Sequence, residues 1–160
     1  MKITYNTTLQ EIQKATHSCS CDACSVGCRY GSGSLVDEDV KPMAKYLGIS
    51  VDELKKEFLE EVEKFKTKRL RPKIRRKKGK PYGTCIFFDE KKGCKVHEAK
   101  PLECSIAMGC KPYGPDLIHW FHAHYYVNAQ DPASLKEWSW AIKDGTIPGA
   151  TIEELQKKTE

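Results

Sequence analysis

The chain has 160 residues, a length that predicts one domain, and 39% of them are hydrophobic while 31% are charged. No run approaches the roughly 18 consecutive apolar residues that span a bilayer, which argues against a membrane-spanning protein. The first residues are polar and lack the apolar segment of an export signal, so we expect a cytoplasmic protein. The formal net charge of +5 is local, because residues 64–80 contain eleven basic residues and no acidic one.

The first half of the chain predicts short, well-capped helices. Thr8 and Glu11 have the spacing of a capping box and predict a helix that runs to about His17. A second helix is predicted over 37–46, where Gly48 follows as a stop signal. The run at 30–34 contains two glycines and would let the backbone pass close to a bound ion.

Ser50 and Glu53 predict the start of a further helix that would pack against the helix over 37–46 as a helical hairpin. Apolar residues recur at helical spacing as far as position 65, which predicts that this helix continues to that point. These apolar residues are Val51, Leu54, Phe58, Leu59, Val62 and Phe65.

The middle of the chain predicts β structure. Pro72 and Gly79 interrupt the basic run at 64–80, which therefore predicts the end of a helix followed by an irregular or β arm. Residues 84–88 and 94–96 read as two short strands joined by a turn at 89–93. They predict a small hairpin with a cysteine on each strand.

The last part, 111–160, is rich in aromatic residues and histidine and predicts a helical extension. Asp131 before Pro132 predicts a helix start, with Gly145 as its end, and Thr151 opens a short final helix. The sequence as a whole predicts a small metal-organised α+β fold, mostly helical with a short β-hairpin. We expect a single domain, 1–160, with a cysteine-cluster core over 19–110.

Eight cysteines in two groups of four constrain the chemistry most strongly. Clustered thiolates bind soft metal ions or iron–sulfur clusters, and in a reducing cytoplasm this interpretation is favoured over disulfides. An oxidising cytoplasm would leave the disulfide alternative open. The candidate metal ligands are Cys19, Cys21, Cys24, Cys28, Cys85, Cys94, Cys104 and Cys110.

The two groups together resemble a known family. The run 21–29 is similar to the CxxCxxCC signature of the zinc- or iron-chelating cysteine-cluster family, and the run 94–104 is similar to its second signature. Cys85 fits the cysteine that opens that second segment. The resemblance covers about residues 19–110 and implies that the chain chelates zinc or iron.

The chain departs from the signature at Gly27, where the family has the first of its paired cysteines. Cys19 and Cys110 lie outside the signature, and either could supply the missing ligand. His97 and Lys100 replace the aromatic residue and the arginine that the second signature implies, and the sequence leaves open whether His97 joins the coordination sphere.

The metal itself stays open at this point. We favour an iron–sulfur cluster, of 4Fe–4S type, with redox chemistry or cluster-dependent modification of an RNA or protein substrate as its use. The alternative is a zinc-stabilised module that binds nucleic acid or protein without catalysis. The sequence does not decide whether the protein is an enzyme, nor which cysteines share a site.

Two further groups carry weaker indications. The histidines His119, His122 and His124 could ligate a metal, although packing among the neighbouring aromatic residues is the favoured interpretation. The basic run could bind nucleic acid or an acidic protein, or could be a solvated linker. The candidate nucleic-acid-binding residues are Lys68, Arg69, Arg71, Lys73, Arg75, Arg76, Lys77 and Lys78.

Overall fold

The computed structural model describes residues 1–16, 19, 21–107, 113 and 115–159, and these form helices and small antiparallel two-stranded sheets. The predicted α+β class is confirmed. The helices are α1 (Leu9–Ala15), α2 (Asp22–Tyr30), α3 (Asp37–Leu47), α4 (Val51–Glu53), α5 (Leu102–Ile106), α6 (Asp116–Tyr125), α7 (Pro132–Ala141) and α8 (Ile152–Lys157). The strands are β1 (Leu59–Lys64), β2 (Thr67–Pro72), β3 (Ile74–Arg76), β4 (Gly83–Cys85), β5 (Phe88–Asp89) and β6 (Gly93–Cys94).

Local capping signals located the helix starts correctly. At α1 the Thr8 hydroxyl accepts from the Glu11 amide at 3.2 Å, and the Glu11 carboxylate accepts from the Thr8 amide at 2.8 Å. The Asp131 carboxylate accepts from the Ala133 amide at 3.0 Å at the start of α7. Helix α1 ends at Ala15, and the predicted end near His17 lies outside the described residues.

The helix that begins at Ser50 is shorter than predicted. It continues from α4 as a π-helical turn over Leu54–Phe58 and then becomes strand β1, so the predicted extension to Phe65 is wrong. The reason is strand pairing, because β1 pairs with β2, which follows it after a two-residue turn. Acidic β1 lies beside basic β2, and opposite charges on neighbouring strands favour this pairing over a helix.

The predicted hairpin of 84–88 with 94–96 is confirmed where Phe88 pairs with Cys94, but the prediction that Cys85 lies on one of its strands is wrong. Strand β4 pairs with β3, which places Cys85 opposite Ile74, whereas Cys94 lies opposite Phe88 in the separate β5–β6 pair. The chain turns between β4 and β5, where the Ile86 amide donates to the Lys73 carbonyl at 3.0 Å. The two cysteines therefore belong to different sheets.

The chain divides into two compact units. Unit 1 contains residues 1–15, 63–68 and 112–160, and unit 2 contains 16–62 and 69–111. The expectation of a single domain with a C-terminal extension stays a prediction. Unit 1 has a core of fully buried side chains that includes Ile3, Ile12, Leu117, Trp120, Phe121, Tyr126, Trp138 and Ile147.

Unit 2 has its own apolar core, which packs beneath the cysteines and includes one of them. Its buried members are Leu35, Met43, Ala44, Leu54, Leu59, Cys85, Phe87, Phe88 and Val96. In the described part of the chain, every helix is too short or too polar to cross a bilayer.

Candidate metal centre

Helix α2 carries most of the first cysteine group. Cys21 is the residue that caps this helix, and Cys24 and Cys28 follow at three and seven positions along it. At that spacing the three side chains share one face of the helix. The Ser25 hydroxyl and the Ser25 amide both donate to the Cys21 carbonyl at 3.0 Å, which fixes the first turn.

Three cysteine sulfurs converge at the start of α2. The sulfur atoms of Cys19, Cys21 and Cys24 all lie within 4.8 Å of one another, and Cys21 is exposed while the other two are half-buried. A tetrahedral zinc site with zinc–sulfur bonds of about 2.3 Å separates its sulfurs by about 3.8 Å, so this spacing is close to that of a mononuclear site. We name this group the thiol triad.

The triad concerns a question that the sequence left open, namely which cysteine replaces the missing signature ligand, and the answer stays a prediction. Cys19, which lies outside the signature, is brought to the two signature cysteines. The other candidate, Cys110, lies outside the described residues. Among the described residues, no side chain beyond the immediate sequence neighbours lies within 4 Å of the ideal β-carbon position of Gly27, where the signature has a cysteine.

The second cysteine group closes a cavity in unit 2. Phe87, Phe88 and Val96 give this cavity an apolar wall. The sulfur-bearing residues around it come from α2, β4, β6, α5 and the segment before α2. The cysteines that line it are Cys19, Cys24, Cys28, Cys85, Cys94 and Cys104. Thiols from both halves of the sequence therefore meet in one place, and all seven described cysteines are thiols rather than disulfides.

Burial makes these sulfurs hard to ionise without a metal. The pKa of the Cys85 thiol is raised to about 11, mainly by burial; the Phe87 amide opposes this change, and the neighbouring Cys28 and Cys94 add to it. Burial also raises the pKa of Cys104 well above its usual value, and Glu103 adds to the effect. A bound cation would remove the repulsion between these thiolates, so metal binding here must displace protons.

Two backbone contacts place Cys104 in the cavity. A β-carbon on Gly33 would collide with the Cys104 sulfur and would lie 2.9 Å from the Cys104 amide nitrogen. The Gly33 amide also donates a hydrogen bond to the Cys104 sulfur. The buried Glu103 carboxylate accepts from the Ser34 amide at 2.7 Å. The run at 30–34 thus passes tightly beside a candidate ligand, as its glycines predicted.

Asp39 is a supporting residue that the sequence did not single out. Its carboxylate accepts from the Val36 amide at 2.9 Å and from the Leu102 amide at 2.8 Å. These bonds join the start of α3 to the start of α5, the helix that carries Cys104. Only the capping position of Asp39 in α3 could have indicated its role.

No described histidine is among the residues that line this cavity. His97 is not among the described residues that line the cavity. His124 stacks on Tyr5 at a ring separation of 4.3 Å. His122 lies edge-on to Phe65 at 5.5 Å. In the part of the chain that the structure describes, the thiol triad is the group of three ligand atoms that meets the 4.8 Å spacing, and it contains no histidine.

The basic run is less uniform than its sequence suggests. Residues 67–72 and 74–76 are β2 and β3, which confirms the β arm, although no helix end precedes it. A carboxylate oxygen of Glu60 in β1 lies 2.6 Å from a guanidinium nitrogen of Arg76 and 3.6 Å from one of Arg71. Arg75 donates to the Ile86 carbonyl at 3.3 Å, and Lys73 donates to the Lys56 carbonyl at 3.2 Å. Nucleic-acid binding by this run stays a prediction.

Comparison with known proteins agrees with this geometry. A known family matches residues 20–122, well over half of the chain, and it is described as the CxxCxxCC zinc- or iron-chelating domain. No curated protein and no solved structure matches the chain. The signature cysteines fall on Cys21, Cys24 and Cys28, with Gly27 in the remaining position. The chain belongs to the CxxCxxCC family of zinc- or iron-chelating domains.

Proposed function

We propose that this protein binds an iron–sulfur cluster in the cavity of unit 2, with the sulfurs of Cys28, Cys85, Cys94 and Cys104 as ligands. One observation carries the proposal: these four residues come from four different elements and line one cavity. Four thiolates are the donor set that iron–sulfur clusters use most often. We name this set the thiol tetrad.

The spacing of the sulfurs supports a polynuclear centre over a single ion. Among the described residues, no three sulfurs of the tetrad meet the 4.8 Å spacing that the triad meets. A single zinc ion needs sulfurs about 3.8 Å apart, whereas a cluster holds its thiolates further apart because they bind different iron atoms. The apolar wall formed by Phe87, Phe88 and Val96 would shield such a centre from water.

We propose that the triad is a second metal site, which shares the wall of the cavity because Cys19 and Cys24 also line it. Its three sulfurs fit a mononuclear zinc ion, and the exposed Cys21 leaves one side of the site accessible to solvent or to a further ligand. The protein would then hold two kinds of centre, which accounts for seven of its eight cysteines.

The chemistry that the metal centre supplies depends on assembly of the cluster. An iron–sulfur cluster supplies electron transfer or, where one iron lacks a protein ligand, a Lewis-acid site. We propose redox chemistry, or modification of an RNA or protein substrate, as the use of the assembled cluster. The cytoplasmic location also stays a prediction.

Anaerobic purification with measurement of iron, sulfide and zinc tests the proposal. We expect a coloured protein with broad visible absorption, and we expect Cys94→Ser to remove iron, sulfide and colour together. Cys21→Ser is the matched variant, because it alters the triad and should leave the colour in place while it lowers the zinc content. A colourless protein that carries zinc alone, after anaerobic reconstitution with iron and sulfide, would favour the zinc-stabilised module instead.

A further inference from the structure

We propose that Tyr30, Tyr82 and Lys77 form a platform on which the bases of a single-stranded nucleic acid stack. We name these three residues the tyrosine platform. This inference goes beyond metal binding and does not depend on which metal the cysteines hold. The basic run alone offered little support for base stacking, because its sequence contains a single aromatic residue, Phe65. The fold supplies the missing aromatic rings from outside that run.

The two tyrosines are exposed and lie together. Tyr30 is 53% exposed and Tyr82 is 38% exposed, and their ring centroids are 5.9 Å apart. The Lys77 ammonium group lies 5.0 Å from the centre of the Tyr30 ring and 5.9 Å from that of Tyr82. A cation over two exposed rings combines phosphate attraction with faces on which bases can stack.

The backbone that carries the two tyrosines is fixed by hydrogen bonds and by close strand packing. Tyr30 is the last residue of α2, and the Thr84 hydroxyl donates to the Arg29 carbonyl at 3.3 Å, which ties that end of the helix to β4. The Lys77 amide donates to the Tyr82 carbonyl at 3.0 Å. A β-carbon on Gly83 would collide with the Arg75 carbonyl, so glycine allows β4 to lie close against β3. Binding would therefore cost little backbone conformational entropy.

The charge around the platform suits a polyanion. The loop between β3 and β4 adds the exposed Lys78 and Lys80, and no acidic residue lies between Lys77 and Tyr82. Glu60, by contrast, is the carboxylate partner of both Arg71 and Arg76 in the preceding strands. The loop therefore carries three lysines, Lys77, Lys78 and Lys80, in the same segment as Tyr82.

Single strands fit this surface better than the other acidic partners. Bases in a duplex are stacked on one another and expose no face, whereas single-stranded bases stack on aromatic side chains. An acidic peptide would use the lysines and would gain little from a pair of tyrosine rings. The chemistry recognised is therefore a base face joined to a phosphate.

Fluorescence anisotropy with dye-labelled oligouridine and oligothymidine, on the full metal-loaded chain, tests the platform. We expect binding to both strands, with Tyr30→Ala and Tyr82→Ala each weakening it by about 10-fold, since stacking on one side chain contributes about 1–3 kcal/mol. Tyr30→Phe and Tyr82→Phe should bind like the parent chain, because the ring is kept. Tyr46→Ala is the control, since Tyr46 is 48% exposed on α3 and lies outside the platform.

Salt dependence separates the role of the lysines from that of the rings. The double variant Lys78→Gln/Lys80→Gln should lower the slope of log affinity against log salt by about 1.4, because each lysine bound to a phosphate of a single strand contributes about 0.7 to that slope. The tyrosine variants should leave this slope unchanged. Unchanged metal content and circular dichroism would show that each variant is folded.

Three results would overturn the platform. One is equal affinity for duplex and single strands, because it would show that base faces are not used. Another is full competition by polyglutamate at equal charge, which would identify an acidic-protein surface. The last is unchanged affinity in both alanine variants when their fold and metal content match the parent chain.

Discussion

At the scale of single residues, Gly33 sets the position of a candidate ligand. Its ideal β-carbon position falls on the Cys104 sulfur, so Gly33→Ala must push Cys104 out of place. We expect the variant to lose metal from the thiol tetrad and to be destabilised by about 1–3 kcal/mol, the usual cost of overpacking. Metal analysis and denaturant unfolding measure the two effects.

Gly31→Ala is the matched control for that substitution. Gly31 belongs to the same run, but no atom of a described residue beyond its sequence neighbours lies within 4 Å of its ideal β-carbon position, and its backbone is extended. We expect this variant to keep the metal content of the parent chain. Equal metal loss in both variants would mean that the run as a whole, and not the contact with Cys104, controls the site.

Replacement of Glu60 is expected to lower the stability of the fold in a pH-dependent way. The bond from Arg76 is the largest cause that lowers the pKa of the Glu60 carboxyl, and the Ile74 amide and Arg71 act in the same direction. A carboxyl whose pKa is lower in the folded state stabilises the fold above its unfolded pKa, and this stability is lost as pH falls through the folded pKa.

We therefore expect Glu60→Gln to be destabilised by about 1–3 kcal/mol near neutral pH, the usual contribution of hydrogen bonds to a charged group. The difference from the parent chain should shrink as pH falls below the ordinary glutamate pKa, by at most about 1.4 kcal/mol per pH unit. Glu61→Gln is the control, because Glu61 is an exposed neighbour in β1. A difference between Glu60→Gln and the parent chain that does not change with pH would contradict the ionic role of Glu60.

At the scale of elements, the turn between β1 and β2 stores backbone strain. Phe65 and Lys66 have φ angles of +51° and +61°, a region that costs non-glycine residues about 1–2 kcal/mol each. The Phe65 ring packs edge-on against Trp138 at 5.2 Å and against His122 at 5.5 Å. These contacts offset the strain at Phe65.

The two positions should respond differently to glycine. Lys66→Gly relieves strain and removes only a partly exposed ion pair with Glu137 at 3.2 Å, so we expect a change in stability within about 1 kcal/mol. Phe65→Gly relieves similar strain but removes the ring, and we expect it to be about 2 kcal/mol less stable than Lys66→Gly. Denaturant unfolding followed by tryptophan fluorescence compares them. Equal stabilities would show that the ring contributes nothing.

The elements also show where sequence reasoning succeeds. Helix starts at Thr8, Ser50, Asp131 and Thr151 were predictable, because each depends on hydrogen bonds within three residues. The course of the chain after Phe58 was not predictable in this way. Helical spacing of apolar residues continues there, but pairing with the adjacent strand β2 decides the structure, and the apolar spacing within one segment does not show whether that segment will pair with a strand.

The candidate site, too, was predictable from the sequence only in part. Cysteine spacing and the family resemblance predicted a metal centre, and the convergence of both groups around one cavity agrees with that prediction. The pairing of Cys85 with β3, and the approach of Cys19 to α2, depend on contacts between distant segments. For this reason the sequence could name the candidate ligands as a set but could not propose their division between a triad and a tetrad.

At the scale of the whole molecule, the two units carry different reporters. All three tryptophans, Trp120, Trp138 and Trp140, lie in unit 1, whereas every described cysteine lies in unit 2. Trp138 is fully buried, and its indole donates to the Ala150 carbonyl at 2.9 Å, so its emission reports the core of unit 1.

Removal of metal should therefore affect the units unequally. Structural metal sites contribute about 10 kcal/mol or more to folding, so an anaerobic chelator should destabilise unit 2 strongly. We expect faster amide hydrogen exchange across 69–107, with tryptophan emission retained. Loss of exchange protection across 69–107 and loss of tryptophan emission at the same chelator concentration would show that the molecule unfolds as one cooperative body. Cys21→Ser, which alters only the triad, provides a milder comparison.

The hairpin tip at 63–68 belongs to unit 1, so the segments of the two units alternate along the sequence. This short segment groups with the N-terminal and C-terminal segments, although it is inserted in the middle of the cysteine-bearing sequence. A chimaera that exchanged residues 112–160 for an unrelated tail would keep every described thiol, yet it would deprive the Phe65 ring of Trp138 and His122. Tip and tail are therefore expected to change together among relatives, so recombination between them should be tolerated only when both pieces are transferred as a pair.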